Sequence, residues 1–417
     1  METLDHYLTQ AKDLRNSLKL NSEVLNVLRD NSISQLEEMN VPNRKVENWK
    51  YTNLKSILSN NYSYSPKEND EFELEKNEEF INLVFENGKY NESKSDEVGL
   101  NITPLKNLKE GEALDYLAKT NYFSNDFANI LNIANFQEGY SIELCENLSI
   151  EKPILIHNLF NGENKHISLT NVFIINKNSH LTILESISST DNVFLSYSSH
   201  AMVKENSTFN HTHLQDSKHG SLVTMNINSE IYKSGLYRNV MINTGAKTSR
   251  TNLYLSLEEE HAEAQADGLY ALHKDQHHDT MSYIHHNAPN TESKQLYKGI
   301  LGDESRGVFT GRVRVEQNAQ LINAKQLNKN LLLTKKAHAN SRPQLEIYAD
   351  DVKCAHGSTT GQISEDELFY FESRGINKEK ARSILARAFA YDVVLNISNL
   401  IVRDFIKKHL LNKNIVR

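Results

Sequence analysis

Ile175-Asn176-Lys177-Asn178-Ser179-His180-Leu181 sets an apolar residue, two variable positions, Asn, a small residue, one further variable position and a second apolar residue in a row. The unit returns as Val203-Lys204-Glu205-Asn206-Ser207-Thr208-Phe209 and as Val315-Glu316-Gln317-Asn318-Ala319-Gln320-Leu321. A looser copy is Ile242-Asn243-Thr244-Gly245-Ala246-Lys247-Thr248. Asn and Gly tolerate the left-handed backbone of a tight corner, and a small neighbour lets adjacent turns stack closely. Strand–corner–strand units repeated along the chain predict a β-solenoid. A β-sandwich with similar turns is the alternative that the repeats alone leave open.

Outward from these units, the whole stretch from about 140 to 350 lacks a long amphipathic helix and alternates β-branched or aromatic residues with polar ones. The N-terminal region is mixed. Leu4, Tyr7, Leu8, Ala11, Leu14 and Leu18 have helical spacing, and Val41-Pro42-Asn43 interrupts the pattern. Ile81-Asn82-Leu83-Val84-Phe85 reads as a strand, and helices are expected near 105–119 and 122–134. The tail reverts to helix. Ser364 with Glu367 matches a capping box, Gly375 a helix C-cap and Asn377 the cap of a second helix. Leu385, Phe389, Val393, Ile397, Ile401 and Phe405 then form a stripe for the solenoid or for a partner helix. The expected division is a helical/mixed domain at 1–139, a β-helix core at 140–362 and a helical domain at 363–417.

The bulk numbers narrow the function. A net charge of −8 over 417 residues disfavours nonspecific nucleic-acid binding. No run of about 18 apolar residues occurs, so no membrane span is expected. Met1-Glu2-Thr3-Leu4-Asp5 lacks a signal-peptide layout, and two widely separated cysteines make no disulfide framework. A cytoplasmic, thiol-reduced setting is expected. The phosphate-binding G-x-x-x-x-G-K-[ST] loop, G-x-S-x-G, H-E-x-x-H and C-x-x-C are all missing. β-Solenoids also host polysaccharide-cleaving enzymes, but Glu185, Asp216 and the other acidic residues form no recurring carboxylate pair.

Two groups of residues carry metal-type chemistry. His273, His277, His278, His285 and His286 cluster around Asp279, and hydrogen-bonded histidines along one solenoid face are the simpler reading. Cys354 and His356 are the sharper pair. At spacing i, i+2 on extended backbone a thiol and an imidazole share a side. They suit zinc, iron or an iron–sulfur species, yet two ligands cannot close a site. Cys145 has no such company and reads as structural.

Gly307-Val308-Phe309-Thr310-Gly311-Arg312-Val313-Arg314-Val315 resembles the G-V-F-x-G-x-[IV]-x-V segment of the SufB/SufD family. Asn328-Lys329-Asn330-Leu331-Leu332-Leu333, Pro343-Gln344-Leu345-Glu346-Ile347 and Val352-Lys353-Cys354-Ala355-His356-Gly357 are similar to it in order and spacing. So are Gly361-Gln362, Leu368-Phe369-Tyr370-Phe371 and Ser373-Arg374-Gly375-Ile376. Upstream, His277-His278-Asp279, His286, Ser293-Lys294-Gln295 and Lys298 look like the family's central region. The element from Pro42 to Thr52, with Arg44, Glu47, Trp49 and Tyr51, resembles the SufD branch rather than SufB.

The resemblance implies a right-handed parallel β-helix between helical terminal domains. It also implies a non-catalytic scaffold of the SUF iron–sulfur cluster assembly system, paired with a SufB-like paralogue and a pair of SufC-like ABC ATPase subunits that hydrolyse the ATP. A transient iron–sulfur cluster or iron, shared with SufB and not held stably by this chain alone, would meet Cys354 and His356. The resemblance assigns His356 to cluster assembly and iron uptake, and places Leu368, Phe369, Tyr370, Phe371 and Arg374 at the SufC contact. Within the family a SufB-like role, accepting sulfur on this chain, is the alternative. Flavin involvement and self-pairing in the absence of SufB stay open.

Overall fold

In a computed structural model, residues 2–54, 58–64, 72–119 and 126–413 are described. Two sheets run through most of the chain. The ten-stranded sheet begins with the hairpin Ile81–Glu86 and Lys89–Tyr90 and continues through Ile154–Phe160 and every second strand to Val352–Gln362. The nine-stranded sheet begins with Asn101–Pro104 and Tyr140–Leu144 and takes the alternate strands to His338–Ile347. Nearly all pairings are parallel, each strand bonded to the one two places earlier. That connectivity is a β-solenoid, and it decides against the sandwich.

Corners follow the repeat, with two shifts. Asn178 and Asn206 take φ of 56° and 55°, as the unit predicts. In the looser copy the left-handed residue is Ala246 rather than Gly245, and in the last copy it is Leu321 rather than Asn318. Gly245 serves closeness instead of handedness. A Cβ built there would stand 2.3 Å from the backbone oxygen of Ser217 on the preceding turn.

The interior is filled by inward-facing residues of both sheets. Leu181, Ile183, Ile187, Phe209, Tyr237 and Tyr297 of one meet Leu195, Val223, Met225, Leu253, Leu255 and Phe309 of the other. Each such side chain contributes on the order of 1.5–3 kcal/mol by burial. At the N-terminal end the antiparallel strands Lys89–Tyr90 and Asn101–Pro104 finish the two sheets. Helices Glu2–Ser17, Glu23–Glu38 and Phe127–Asn135 bury Tyr7, Leu36, Phe127 and Leu131 beside Phe194 and Leu222 of the nine-stranded sheet. Of the helix expected at 122–134, positions 122–125 lie outside the described residues.

The tail packs on the outer face of the ten-stranded sheet. Its second helical stretch is two helices, Lys378–Val394 and Leu400–Asn412, because Asn399 caps a new start by accepting from the backbone of Ile401 and Val402. The buried line runs through Ala386, Ala390, Val393, Val394, Ile397, Val402, Ile406 and Leu410, against Leu184, Leu214, Val240 and Ile300. It overlaps the expected stripe at Val393 and Ile397, while that stripe's Leu385, Phe389, Ile401 and Phe405 are only half-buried. Small alanines at the centre let the helix approach the sheet, which spacing of large residues does not reveal.

Two outcomes follow. Gly245→Ala forces the contact with Ser217 open and lowers the free energy of unfolding by about 1–3 kcal/mol in urea titrations. The second concerns His166, His200, His278 and His286, whose imidazoles burial pushes down to about 3, about 4, about 3 and about 3. Below the ordinary value near 6.5 the unfolded chain takes up protons that these folded imidazoles refuse. Their contribution is therefore complete above that pH and drains as pH falls toward 3, by about 1.4 kcal/mol per unit for each histidine. Urea midpoints measured from pH 7.5 down to 5 should fall steadily, and a flat profile would contradict this.

Candidate functional site

The C-terminal end of the solenoid differs from every other part. Val352–Gln362 pairs on one side only, with Ile322–Leu332, and His338–Ile347 pairs only with Arg306–Val315. Val352–Gln362 is largely open to solvent, whereas His338–Ile347 is mostly half-buried. Their outer edges present ten or so residues of backbone donors and acceptors without a ladder partner among the described residues.

Cys354 and His356 sit on that last strand. Cys354 is registered on Ala324 and His356 on Gln326, two residues whose side chains face the interior. The pair therefore shares the inner side of the terminal turn, as the spacing predicts. Cys354 is half-buried against the small cluster of Val313, Val315, Ile322 and Ala324, while His356 is exposed. Burial raises the Cys354 thiol above its ordinary value, so it stays protonated in the free chain. Among the described residues no third Cys, His, Asp or Glu joins them as a metal-binding group. Cys145 is exposed in a corner, where its backbone oxygen accepts from the Ser179 hydroxyl over 2.8 Å.

The helix that follows, Glu365–Glu372, opens on the capping box of Ser364 and Glu367 and ends before Gly375 at φ 78°. Its residues divide. Leu368 is 1% exposed and belongs to the chain's own packing, whereas Phe369 and Tyr370 are 70% and 55% exposed. Phe371 is half-buried, and the Arg374 guanidinium lies 4.6 Å from the Tyr370 ring. An outward aromatic pair beside a cation is a ready contact surface.

Of the histidine cluster, His277, His285 and His286 are hydrogen-bonded and spread over two faces, while both ring nitrogens of the buried His278 lack a partner. His277 Nε2 and the Thr52 hydroxyl are 2.9 Å apart, and that hydroxyl donates to Asp279. Arg250 donates to the same carboxylate over 2.6 Å while its guanidinium covers the Trp49 ring at 4.8 Å. The Pro42–Thr52 element is thus clipped to the outside of the nine-stranded sheet, and Glu47 reaches Arg342 on the penultimate strand. His285 meets Tyr254 and Glu316, and His286 meets Thr291 and Ser293.

A different trio was not singled out from the sequence. Glu185, His211 and His213 are fully buried inside the solenoid, with donor atoms within 4.8 Å of one another. His211 and His213 alternate on one strand, and Glu185 is registered directly on His213 one turn earlier. A match between that i, i+2 pair and the period of the corners was the signal.

The models of two families match this chain. That of the SUF system FeS cluster assembly, SufBD core domain, covers residues 158–389, and that of the SufBD protein N-terminal region covers 1–156. An iron–sulfur cluster assembly SufBD family protein of Synechocystis sp. is 30% identical, over 88% of this chain and 86% of that protein. The iron–sulfur cluster assembly protein SufD of Escherichia coli is 28% identical over 87% and 86%. Protein ABCI7, chloroplastic, of Arabidopsis thaliana is 28% identical over 97% and 90%. This chain belongs to the SufB/SufD family of SUF iron–sulfur cluster assembly, and within it to the SufD group.

Proposed function

We propose that this chain is a non-catalytic scaffold that pairs end to end with a SufB-like paralogue and docks a SufC-like ABC ATPase. What supports the pairing is the terminal turn, with its unsatisfied edge and with Cys354 and His356 together on its inner side. Adding strands from a second solenoid would satisfy the edge groups by the same ladder that holds each internal turn.

The chemistry of a shared site follows from the donor count. Iron or a nascent cluster is the cargo, and a thiolate and an imidazole supply two of its ligands. The paralogue supplies the others. Incomplete coordination on each subunit leaves a cluster that can be passed on. Because burial holds the Cys354 proton, ligation begins only when an incoming cation displaces it, and proton release accompanies loading. The exposed His356 is the first donor that iron arriving from solvent meets. Phe369, Tyr370 and Arg374 form the contact for the ATPase, whose hydrolysis drives the cycle.

On the reconstituted complex, His356→Ala should slow cluster formation at least about tenfold, followed by the visible absorption of the cluster. An unchanged rate removes His356 from the shared site. Affinity capture of the tagged chain from its own cells should bring down both a second β-solenoid protein and an ABC ATPase. Phe369→Ala with Tyr370→Ala should weaken ATPase retention at least about tenfold and leave the paralogue bound. Loss of both partners together would place the aromatic pair in general folding instead.

A further inference from the structure

Inside the solenoid, with the imidazoles five turns from the open strand, one carboxylate and two imidazoles converge. The Glu185 carboxylate has divided partners. Its Oε2 accepts from Asn158 Nδ2 over 3.1 Å and from the hydroxyls of Tyr140 and Tyr197. Its Oε1 lies 2.6 Å from His211 Nε2 and 3.7 Å from His213 Nδ1. All three side chains are completely buried.

His213 is what a purely structural cluster does not explain. Neither ring nitrogen has a hydrogen-bond partner, although the ring is buried beside a carboxylate and lies 4.0 Å from the His211 ring by centroids. A buried polar group left unpaired destabilises the fold. A ligand between Oε1 and the two imidazoles would recover that cost. Any proton donor or a cation could serve in principle, and the donor set selects the cation. The outer contacts are those of a prepared metal centre. The Tyr237 hydroxyl meets His211 Nδ1 at 3.1 Å and so directs Nε2 at the carboxylate, while Asn158 steadies the other carboxylate oxygen.

We propose that Glu185, His211 and His213 bind a single divalent transition-metal ion, of the zinc or iron(II) class, within the solenoid. Two imidazole nitrogens and a carboxylate oxygen suit these ions and exclude magnesium and calcium, which favour oxygen. The ion joins the strand His180–Ser189 to the next turn's Thr208–Asp216, staples the coil, and exchanges slowly because the cluster is sealed from solvent. The site is separate from Cys354 and His356 and does not depend on their role.

The test uses the full chain carrying Cys354→Ala and His356→Ala, so that the terminal pair contributes no ligand. It is unfolded, stripped with chelator and refolded anaerobically with cobalt(II) as a visible probe. After gel filtration in chelator, about one cobalt per chain with visible ligand-field bands is expected. Glu185→Gln and His213→Leu in the same background should each retain at least about tenfold less, with folding confirmed by circular dichroism. Should His213→Leu fail to refold, the isosteric Glu185→Gln decides. No retained cobalt in the parent overturns the proposal, as does equal retention by the folded variants. Zinc or iron found by mass spectrometry in the chain as purified, and absent from those variants, would identify the resident ion.

Discussion

A strand in a parallel coil meets its backbone hydrogen-bonding demand only through the turn before it and the turn after it. Every feature of this molecule answers to that rule. Internal turns satisfy it with each other, from Ile154–Phe160 through Ile322–Leu332. The first turn is finished by antiparallel strands, a device that ends the ladder, and by helices that bury the adjoining apolar surface. The last turn has neither. Since terminal turns of solenoids ordinarily need a cap, the bare end is where a second molecule would complete the ladder.

The interior changes along the same axis. Around the first turns it is largely apolar, with Leu181, Ile183, Leu195, Phe173 and Phe209 in contact. Nearer the open end Gln295, Gln326, Asn328 and Asn330 occupy inward positions and stay buried. In register terms His211, Asn239, Ala266, Gln295, Gln326 and His356 form one continuous column. The buried imidazole of His211 and the exposed one of His356 are therefore equivalent positions, separated by environment alone. One is sealed among tyrosines and a carboxylate. The other has the same orientation but no turn above it.

How much of this could be read from residues depends on whether the cause is local. Capping at Ser364 and Asn377 is local, and both caps form as their side chains predict. Asn178 and Asn206 also declare themselves, because left-handed backbone favours Asn. Ala246 and Leu321 hold that conformation with no such preference, since the stacked turns on either side fix the corner's shape. The spacing of Cys354 and His356 correctly puts them on one side, but their position on the final, unpaired strand depends on the count of turns. The trio around Glu185 needed that count too: residues one turn apart in sequence become direct neighbours only when the repeat length is known. For the tail, large residues at helical spacing marked a stripe, whereas the contact is centred on Ala386 and Ala390, chosen for their smallness.

The open strand and the exposed aromatic pair are also mechanically joined. Val352–Gln362 runs through Ile363 directly into Ser364, whose side chain and backbone are locked into the capping box of the next helix. Leu368 fastens that helix to the chain while Phe369 and Tyr370 point away from it. A partner gripping the aromatic side chains would act on a short, stiff lever attached to the one strand of the ten-stranded sheet's far edge that has a single neighbour. Internal strands, held from both sides, resist the same pull through twice as many ladder contacts. Displacement would thus concentrate in the strand bearing Cys354 and His356, leaving the sealed interior around Glu185 undisturbed. A coil held from both sides everywhere except its last turn can couple movement of an outside partner to the geometry of these two side chains without loosening its own core.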